Sequence, residues 1–240
     1  MKVIFTCGGT AGHVNPALAL AGYMRKKDPT VEVLFVGTPE GIERDLVAQA
    51  GYDYRGIAVG SLERSVSWEA IRHNCKSAWE MLALRRKTGA ILKEFPADLV
   101  VGTGGYASYP MVKYAALRGI PTAVHEANMI PGLTTKMLEK HASRIMVGFE
   151  ECRALYKHPE RIAVTGTPVR GDFFDLTHEE AKAALGVGKD EPLVVSFWGS
   201  LGASTMNGQM LDFFKKEKED GYPFYHIHAV GGRGWETMQQ

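Results

Sequence analysis

The chain has 240 residues, 45% of them hydrophobic and 23% charged, with a formal net charge of +1. That length allows one large or two modest domains with buried cores, and so small a net charge gives no electrostatic reason to expect nucleic acid as a partner. No run of about 18 apolar residues reads as a membrane span, no N-terminal stretch reads as a targeting peptide, and Cys7, Cys75 and Cys152 match no metal or disulfide spacing, so they read as reduced thiols of a cytosolic protein.

The first apolar run, 3–6, reads as a strand. It feeds the glycine-rich stretch CGGTAGH, then a helix near 14–27. A strand leading through glycines to a helix N-terminus presents backbone N–H groups and the positive end of the helix dipole, which suits an anion. The spacing is not the dinucleotide fingerprint, because Thr10 stands where its second glycine would be. Further strands are expected at 31–36, 53–59, 98–101, 122–125, 144–147 and 161–164, alternating with helices near 40–50, 68–94, 107–118, 132–142 and 150–156. Valine- and isoleucine-rich strands alternating with helices predict α/β architecture: a Rossmann-like, doubly wound parallel sheet whose ligands lie at the strands' C-terminal ends.

A first domain is therefore expected over 1–165, and a linker with one short helix over 166–191, where Thr177 and Glu180 have capping-box spacing. A second Rossmann-like unit opens at 192 with a strand at 193–197, a helix near 205–219 and a strand at 224–230. It reads as incomplete, since so few elements bury too little surface alone.

The opening arrangement recurs as VVGTGGYASYP (Val100–Pro110) and VSFWGSLGAS (Val195–Ser204). Any one such loop is equally well read as a tight turn. Three of them, spread over two sheet units, favour a ligand cleft between domains. His125, Glu126 and Asn128 follow a strand directly, a position that suits either a ligand or the capping of the next helix. Arg170, in the linker, suits either a surface ion pair or a phosphate clamp. No Asp-x-Asp pair or metal-spaced cluster accompanies them, so no metal or other cofactor is expected, and a bound diphosphate would be balanced by N–H groups, a helix dipole and arginine. No acid ends the second strand to read a ribose, and Glu40 lies beyond a proline, which disfavours a nicotinamide dehydrogenase.

GGTAGHVNP, GTGGYASYP, HEAN, GTPVR and GSLGAS, in this order and at these separations, resemble the MurG family of glycosyltransferases over essentially the whole chain. The resemblance implies a GT-B fold, with an acceptor-binding first domain and a second domain for the nucleotide sugar. It implies inverting transfer of N-acetylglucosamine from UDP-GlcNAc to the C4 hydroxyl of undecaprenyl-linked lipid I, giving lipid II for peptidoglycan. By motif, Thr10, Ala11 and Gly12 would contact the donor, Asn128 its sugar, and Arg170 and Ser200 its nucleotide diphosphate. Gly104, Gly105 and Tyr106 fall on the acceptor side. His13 and Glu126 fall at positions tied to acceptor binding or proton transfer, and His13 is taken as general base because an imidazole titrates near neutral pH. The competing reading is that His13 only caps or orients the first helix.

The sequence departs from the family pattern at Trp198, where glycine is usual, and at Leu201 and Ala127, where glutamine is usual. The family also continues for roughly another hundred residues, within ordinary domain sizes, so the chain is expected to be an inactive fragment by itself. Its alternative role is a catalytically silent acceptor- or partner-binding module. A sugar-nucleotide epimerase on the same architecture is a third, disfavoured reading. The helix expected at 68–94 has an apolar face and excess Arg and Lys. That reads first as a solvated basic side, and second as a contact to anionic lipid, which the family's membrane-bound acceptor favours. The implied location is peripheral, at the cytoplasmic face of the membrane, with cell-wall synthesis proteins as further partners.

Overall fold

A computed structural model describes residues 1–58, 83–199, 202–231 and 234–238. The chain forms two compact units, Met1–Gly171 and Asp172–Gln240.

The first unit is a seven-stranded parallel sheet: β1 (Lys2–Thr6), β2 (Glu32–Gly37), β3 (Asp53–Gly56), β4 (Leu99–Gly102), β5 (Thr122–Glu126), β6 (Arg144–Val147) and β7 (Ile162–Val164). Their order is β3-β2-β1-β4-β5-β6-β7, so the direction of winding reverses between β1 and β4. Both faces are covered, which is why the strands read as nearly continuous apolar runs. On one face Val3, Phe5, Val33, Phe35 and Val101 pack with α1 (Ala11–Lys27) and α2 (Ile42–Gln49). On the other, Ile4, Leu34, Val36, Val100, Val124 and Ile145 pack with α3, described over 83–94, α4 (Ser108–Ala116) and α5 (Leu133–Leu138). The alternation of Val3, Ile4 and Phe5 between the two cores follows from the two-residue period of a strand.

Several boundaries differ from expectation. Helix α1 starts at Ala11, one turn before residue 14, and carries Pro16 inside it. Proline lacks the N–H that would bond to the Gly12 carbonyl, so the helix gives up one bond and gains a first turn at the glycine loop. Strand β3 ends at Gly56, short of the expected 59, which lies outside the described residues along with much of the basic helix and Cys75. Residues Glu150–Leu155 form a 3-10 helix rather than an α-helix. There Arg153 bonds to Glu150 and to the carbonyls of Pro159 and Ile162, tying the segment to its neighbours. Cys7 and Cys152 are buried free thiols.

The division between units falls inside the segment read as a linker, and α6 (His178–Ala184) belongs to the second unit. Thr177 and Glu180 form the expected reciprocal capping box. Buried Lys182 donates to the carbonyls of Lys189 and Glu191, which satisfies an ammonium group taken out of water. Strands β8 (Leu193–Phe197) and β9 (Tyr225–Ala229) pair in parallel, joined by α7 (Ser204–Glu219), and α8 (Trp235–Met238) follows. Ser196, His226, His228, Glu217 and Asn207 form one hydrogen-bonded chain linking these strands to α7. Val195 and Phe197 are 55% and 65% exposed.

Phe35 has no exposed surface, and its ring lies 5.4 Å from Phe5 and 5.2 Å from Tyr52. Phe35→Ala is expected to destabilise the first unit by about 3–5 kcal/mol through lost burial and a residual cavity, measured by urea unfolding, with Phe35→Leu costing clearly less.

Candidate active site

The loops after β1 and β4 meet at the point where the sheet reverses its winding. There, connections leaving toward opposite faces open a crevice. Both loops depend on glycine. Gly9, Gly104 and Gly105 have φ of +88°, +112° and +84°, conformations that side-chain-bearing residues rarely adopt. Gly105 lies directly on the Gly8 backbone, where any Cβ would collide with the Gly8 carbonyl. Gly104 faces the His13 ring, and a Cβ there would stand 2.9 Å from Nε2. The Ser108 hydroxyl lies 2.7 Å from both the Thr6 and the Gly104 carbonyl oxygens, and Thr103 donates to the His13 carbonyl at 2.6 Å. The N-terminal ends of α1 and α4 are thereby laced to the strand ends.

His13 sits half-buried between the loops. Its Nδ1 lies 2.8 Å from the Gly8 carbonyl. A carbonyl only accepts, so Nδ1 carries the proton, and in the neutral ring Nε2 carries the lone pair. Among the described residues Nε2 has no hydrogen-bond partner. Thr10, the N-cap of α1, is extended and makes no side-chain cap bond, and the N–H groups of Ala11 and Gly12 have no acceptor among the described residues. The first turn of α1 thus presents unpaired donors and the positive end of the helix dipole.

The loop after β5 lies one strand further along. Glu126 is buried, and its carboxylate accepts four bonds, from the Asn128 backbone and side-chain N–H (3.1 and 2.8 Å), Gly132 N–H (2.9 Å) and the Thr135 hydroxyl (2.7 Å). Burial opposes its ionisation, but the bonds from Thr135, Gly132 and Asn128 outweigh that, so the carboxyl titrates below the ordinary glutamate range. Its acceptor positions are engaged in holding Asn128, which is exposed at the rim. His125 is buried, and its Nε2 donates to the Gly166 carbonyl at 3.1 Å; burial lowers its pKa and keeps the ring neutral.

The structure therefore brings Thr10, Ala11, Gly12, His13, Gly104 and Gly105 together, with exposed Tyr106 beside them. Glu126 and Asn128 form a second cluster on the neighbouring strand. Arg170 is exposed, six residues after the end of β7, in a segment whose Gly166 carbonyl meets His125 of β5 and whose Thr167 lies beside Gly148. Ser200 and Leu201 lie outside the described residues. Trp198 is partly buried, and its indole N–H has no partner among the described residues.

Sequence reasoning missed Glu43. This residue of α2 has no exposed surface; its carboxylate accepts from Thr38 N–H (2.8 Å), the Thr38 hydroxyl (2.6 Å) and Gly9 N–H (3.3 Å). Burial again opposes ionisation and is outweighed by those bonds, so this carboxyl also titrates below its ordinary range. The signal was available in GTPEGIE, whose glycines at 37 and 41 leave the space that the carboxylate fills.

Folded Glu43 and Glu126 bind their protons less tightly than the unfolded chain does, whose glutamates titrate near 4.5. Their stabilisation is complete above that pH and is lost as pH falls through the lower folded values. The urea midpoint is expected to drop between about pH 5 and about pH 3, and the drop should be shallower in Glu126→Gln.

The profile of the glycosyltransferase family 28 N-terminal domain matches residues 3–147. Over 240 residues the chain is 40% identical to the UDP-N-acetylglucosamine--N-acetylmuramyl-(pentapeptide) pyrophosphoryl-undecaprenol N-acetylglucosamine transferase of Acetivibrio thermocellus, a match covering 100% of this chain and 64% of that protein. The protein of the same name from Desulforamulus reducens is 37% identical, with 100% and 63% covered. Among solved structures, Acinetobacter baumannii MurG is similar with a TM-score of 0.66 at 23% identity, covering 99% of this chain and 63% of that one. The UDP-GlcNAc 2-epimerase of Neisseria meningitidis, bound to UDP-GlcNAc, is similar with a TM-score of 0.58 at 12% identity, covering 100% and 69%. These two likenesses are of fold. The chain spans a little under two thirds of the length of the two transferases. The sheet order, the glycine loops at its switch point and the family match agree: the chain belongs to glycosyltransferase family 28 and carries its N-terminal domain.

Proposed function

We propose that the protein to which these residues belong transfers N-acetylglucosamine from UDP-GlcNAc to the C4 hydroxyl of undecaprenyl-pyrophosphoryl-MurNAc-pentapeptide, with inversion. The observation that carries this reading is the orientation of His13, whose Nδ1 is held by the Gly8 carbonyl while Nε2, beside Gly104, has no hydrogen-bond partner among the described residues. In the step, the acceptor oxygen forms a bond to the sugar's anomeric carbon, and the bond from that carbon to the UDP oxygen breaks. The hydroxyl proton passes to His13 Nε2, and UDP leaves with the electron pair. The N–H groups of Ala11 and Gly12, the α1 dipole and Thr10 would bear negative charge of the diphosphate. Gly104, Gly105 and Tyr106 would line the acceptor side, and Asn128, braced by Glu126, would hold a sugar hydroxyl. Glu126 is assigned positioning rather than proton transfer, because its carboxylate is already committed to four donors. Arg170 and Ser200 would contact the nucleotide diphosphate.

The names of the transferases that the chain resembles support this reading. Since the chain spans 64% of one of them, we propose acceptor binding without turnover for the 240 residues taken alone. Extended with the remainder of such a transferase, the protein should move labelled GlcNAc to a soluble lipid I analogue. His13→Ala should then lower kcat by about 10²–10⁴-fold and abolish the limb of the pH profile that belongs to the base. Full activity in His13→Ala would overturn the assignment.

The second part of the proposal is a peripheral site at the cytoplasmic face of the membrane. Exposed Arg85 and Arg86 of α3, with Gly89 and Arg118, line an open cavity of about 460 Å³. Among the described residues, no helix is long and apolar enough to cross a membrane. Each basic residue near an anionic surface contributes about 1 kcal/mol. Arg85→Ala/Arg86→Ala should therefore weaken flotation with anionic vesicles roughly thirtyfold at low salt. Equal flotation of variant and parent would remove the membrane assignment.

A further inference from the structure

The Gly8 carbonyl and the Gly9 N–H belong to one peptide group. Its carbonyl end meets His13 Nδ1 at 2.8 Å, and its N–H end meets Glu43 Oε2 at 3.3 Å. In a trans peptide these two bonds point in opposite directions, so a group held at both ends has a fixed plane. No other hydrogen bond to this peptide is found among the described residues, and the Gly105 backbone packs against it without bonding to it. Gly8 and Gly9 both lack a Cβ, so no side chain of their own opposes its turning over.

We propose that Glu43 is a positioning residue that locks the Gly8–Gly9 peptide and, through it, the tautomer of His13. The consequence for catalysis rests on the assignment of His13 as base; the lock itself does not. If the peptide turned over, Gly9 N–H would face His13 Nδ1 in place of the Gly8 carbonyl. Nδ1 would then have to accept, the proton would move to Nε2, and the ring would present a donor where the reaction needs a base. The lock also withdraws the Gly9 amide from the set open to a bound anion. The first-turn N–H groups of Ala11 and Gly12 remain available.

The surroundings of Glu43 fit a dedicated device. Glycines at three positions leave room for the carboxylate. A Cβ on Gly8 would stand 2.8 Å from Oε1, one on Gly37 would stand 2.7 Å from Cγ, and one on Gly41 would overlap the carboxylate. Thr38 saturates Oε1 with its N–H and hydroxyl, which leaves Oε2 to Gly9. The Tyr54 hydroxyl, close by, turns its proton to the Thr38 carbonyl at 2.6 Å and does not compete. The Cys7 thiol is pushed up to about 12 by burial and by the Glu43 charge, so it adds no second anion. A fully buried carboxylate placed behind an anion-binding loop works against the bound anion. It is a costly choice for packing alone, which an apolar side chain of similar volume would serve as well.

The test reads the His13 tautomer from ring ¹⁵N shifts in the 240-residue chain without substrate, in the parent, Glu43→Gln and Thr38→Val. The parent should show neutral His13 with its proton on Nδ1. In Glu43→Gln the amide oxygen stays with the two Thr38 donors, and its NH₂ then faces the Gly9 N–H. The peptide is expected to turn over and the Nε2–H form to become the majority, while the fold is retained. Thr38→Val removes one bond to the same carboxylate but leaves the Gly9 contact, so its stability falls and its tautomer stays as in the parent. A folded Glu43→Gln with the parent tautomer overturns the proposal. So does an unfolded Glu43→Gln, which would make the carboxylate a determinant of the fold alone. Because no substrate is present, a tautomer shift in this chain together with no transferase activity in the extended protein would sink the glycosyl-transfer reading and leave this one standing.

Discussion

The site depends on one close approach, that of the Gly105 backbone onto the Gly8 backbone. β1 and β4 are hydrogen-bonded neighbours with Thr6 opposite Gly102, yet their outgoing chains go to helices on opposite faces of the sheet. Two chains diverging from adjacent strand ends open a crevice, and its floor is whatever the first residues of each loop provide. Here the floor is backbone, because any side chain at Gly105 would force the loops apart. With the loops in contact, the first turn of α1, the His13 ring and Gly104 fall within one small space. Separated by even a methyl group, they would become independent turns.

Backbone in such a place has to be fixed without side-chain packing, and the protein does this with buried carboxylates. Glu43 under the loop after β1 and Glu126 under the loop after β5 accept from N–H and hydroxyl groups of the turns they hold, three bonds in one case and four in the other. Moving a carboxylate out of water costs several kcal/mol, and only a nearly complete set of donors offsets it. A partial set would release the turn and the charge together. These loops are therefore ordered before any ligand arrives, so little reorganisation is needed when charge develops in the crevice.

The architecture was legible because parallel strands covered on both faces must be apolar throughout: runs such as VIFT and VLFV leave few other readings. The clustering of the first two glycine loops was legible for a related reason, since both follow strands whose ends lie on the same side of the sheet. The start of α1 was not, because the helix opens at Ala11 and carries Pro16 in its interior, a place where proline forfeits a backbone bond. Glu43 was hidden because an acid in IERDLVAQ reads as the solvated side of an amphipathic helix, and its burial depends on glycines in two other segments. Glu126 stood out as polar, but its commitment to Thr135 nine residues later was not visible. Long-range hydrogen bonds leave no period in a sequence.

The second unit repeats the first unit's device on a smaller scale. Gly202, with φ of +72°, lies where a Cβ would strike the Val230 carbonyl, so the loops after the adjacent parallel strands β8 and β9 again meet backbone to backbone. A side-chain amide braces them where the first unit uses a carboxylate: Asn207 of α7 donates to the same Val230 carbonyl at 2.8 Å, and its oxygen faces His228. His228 is joined through Ser196 to His226 and Glu217, which places a polar chain where the first unit packs Phe5 and Phe35. The two units thus fill their interiors by different chemistry while keeping glycine where neighbouring loops touch. The requirement conserved between them is geometric: adjacent parallel strands, ending level, whose chains meet through backbone before they part.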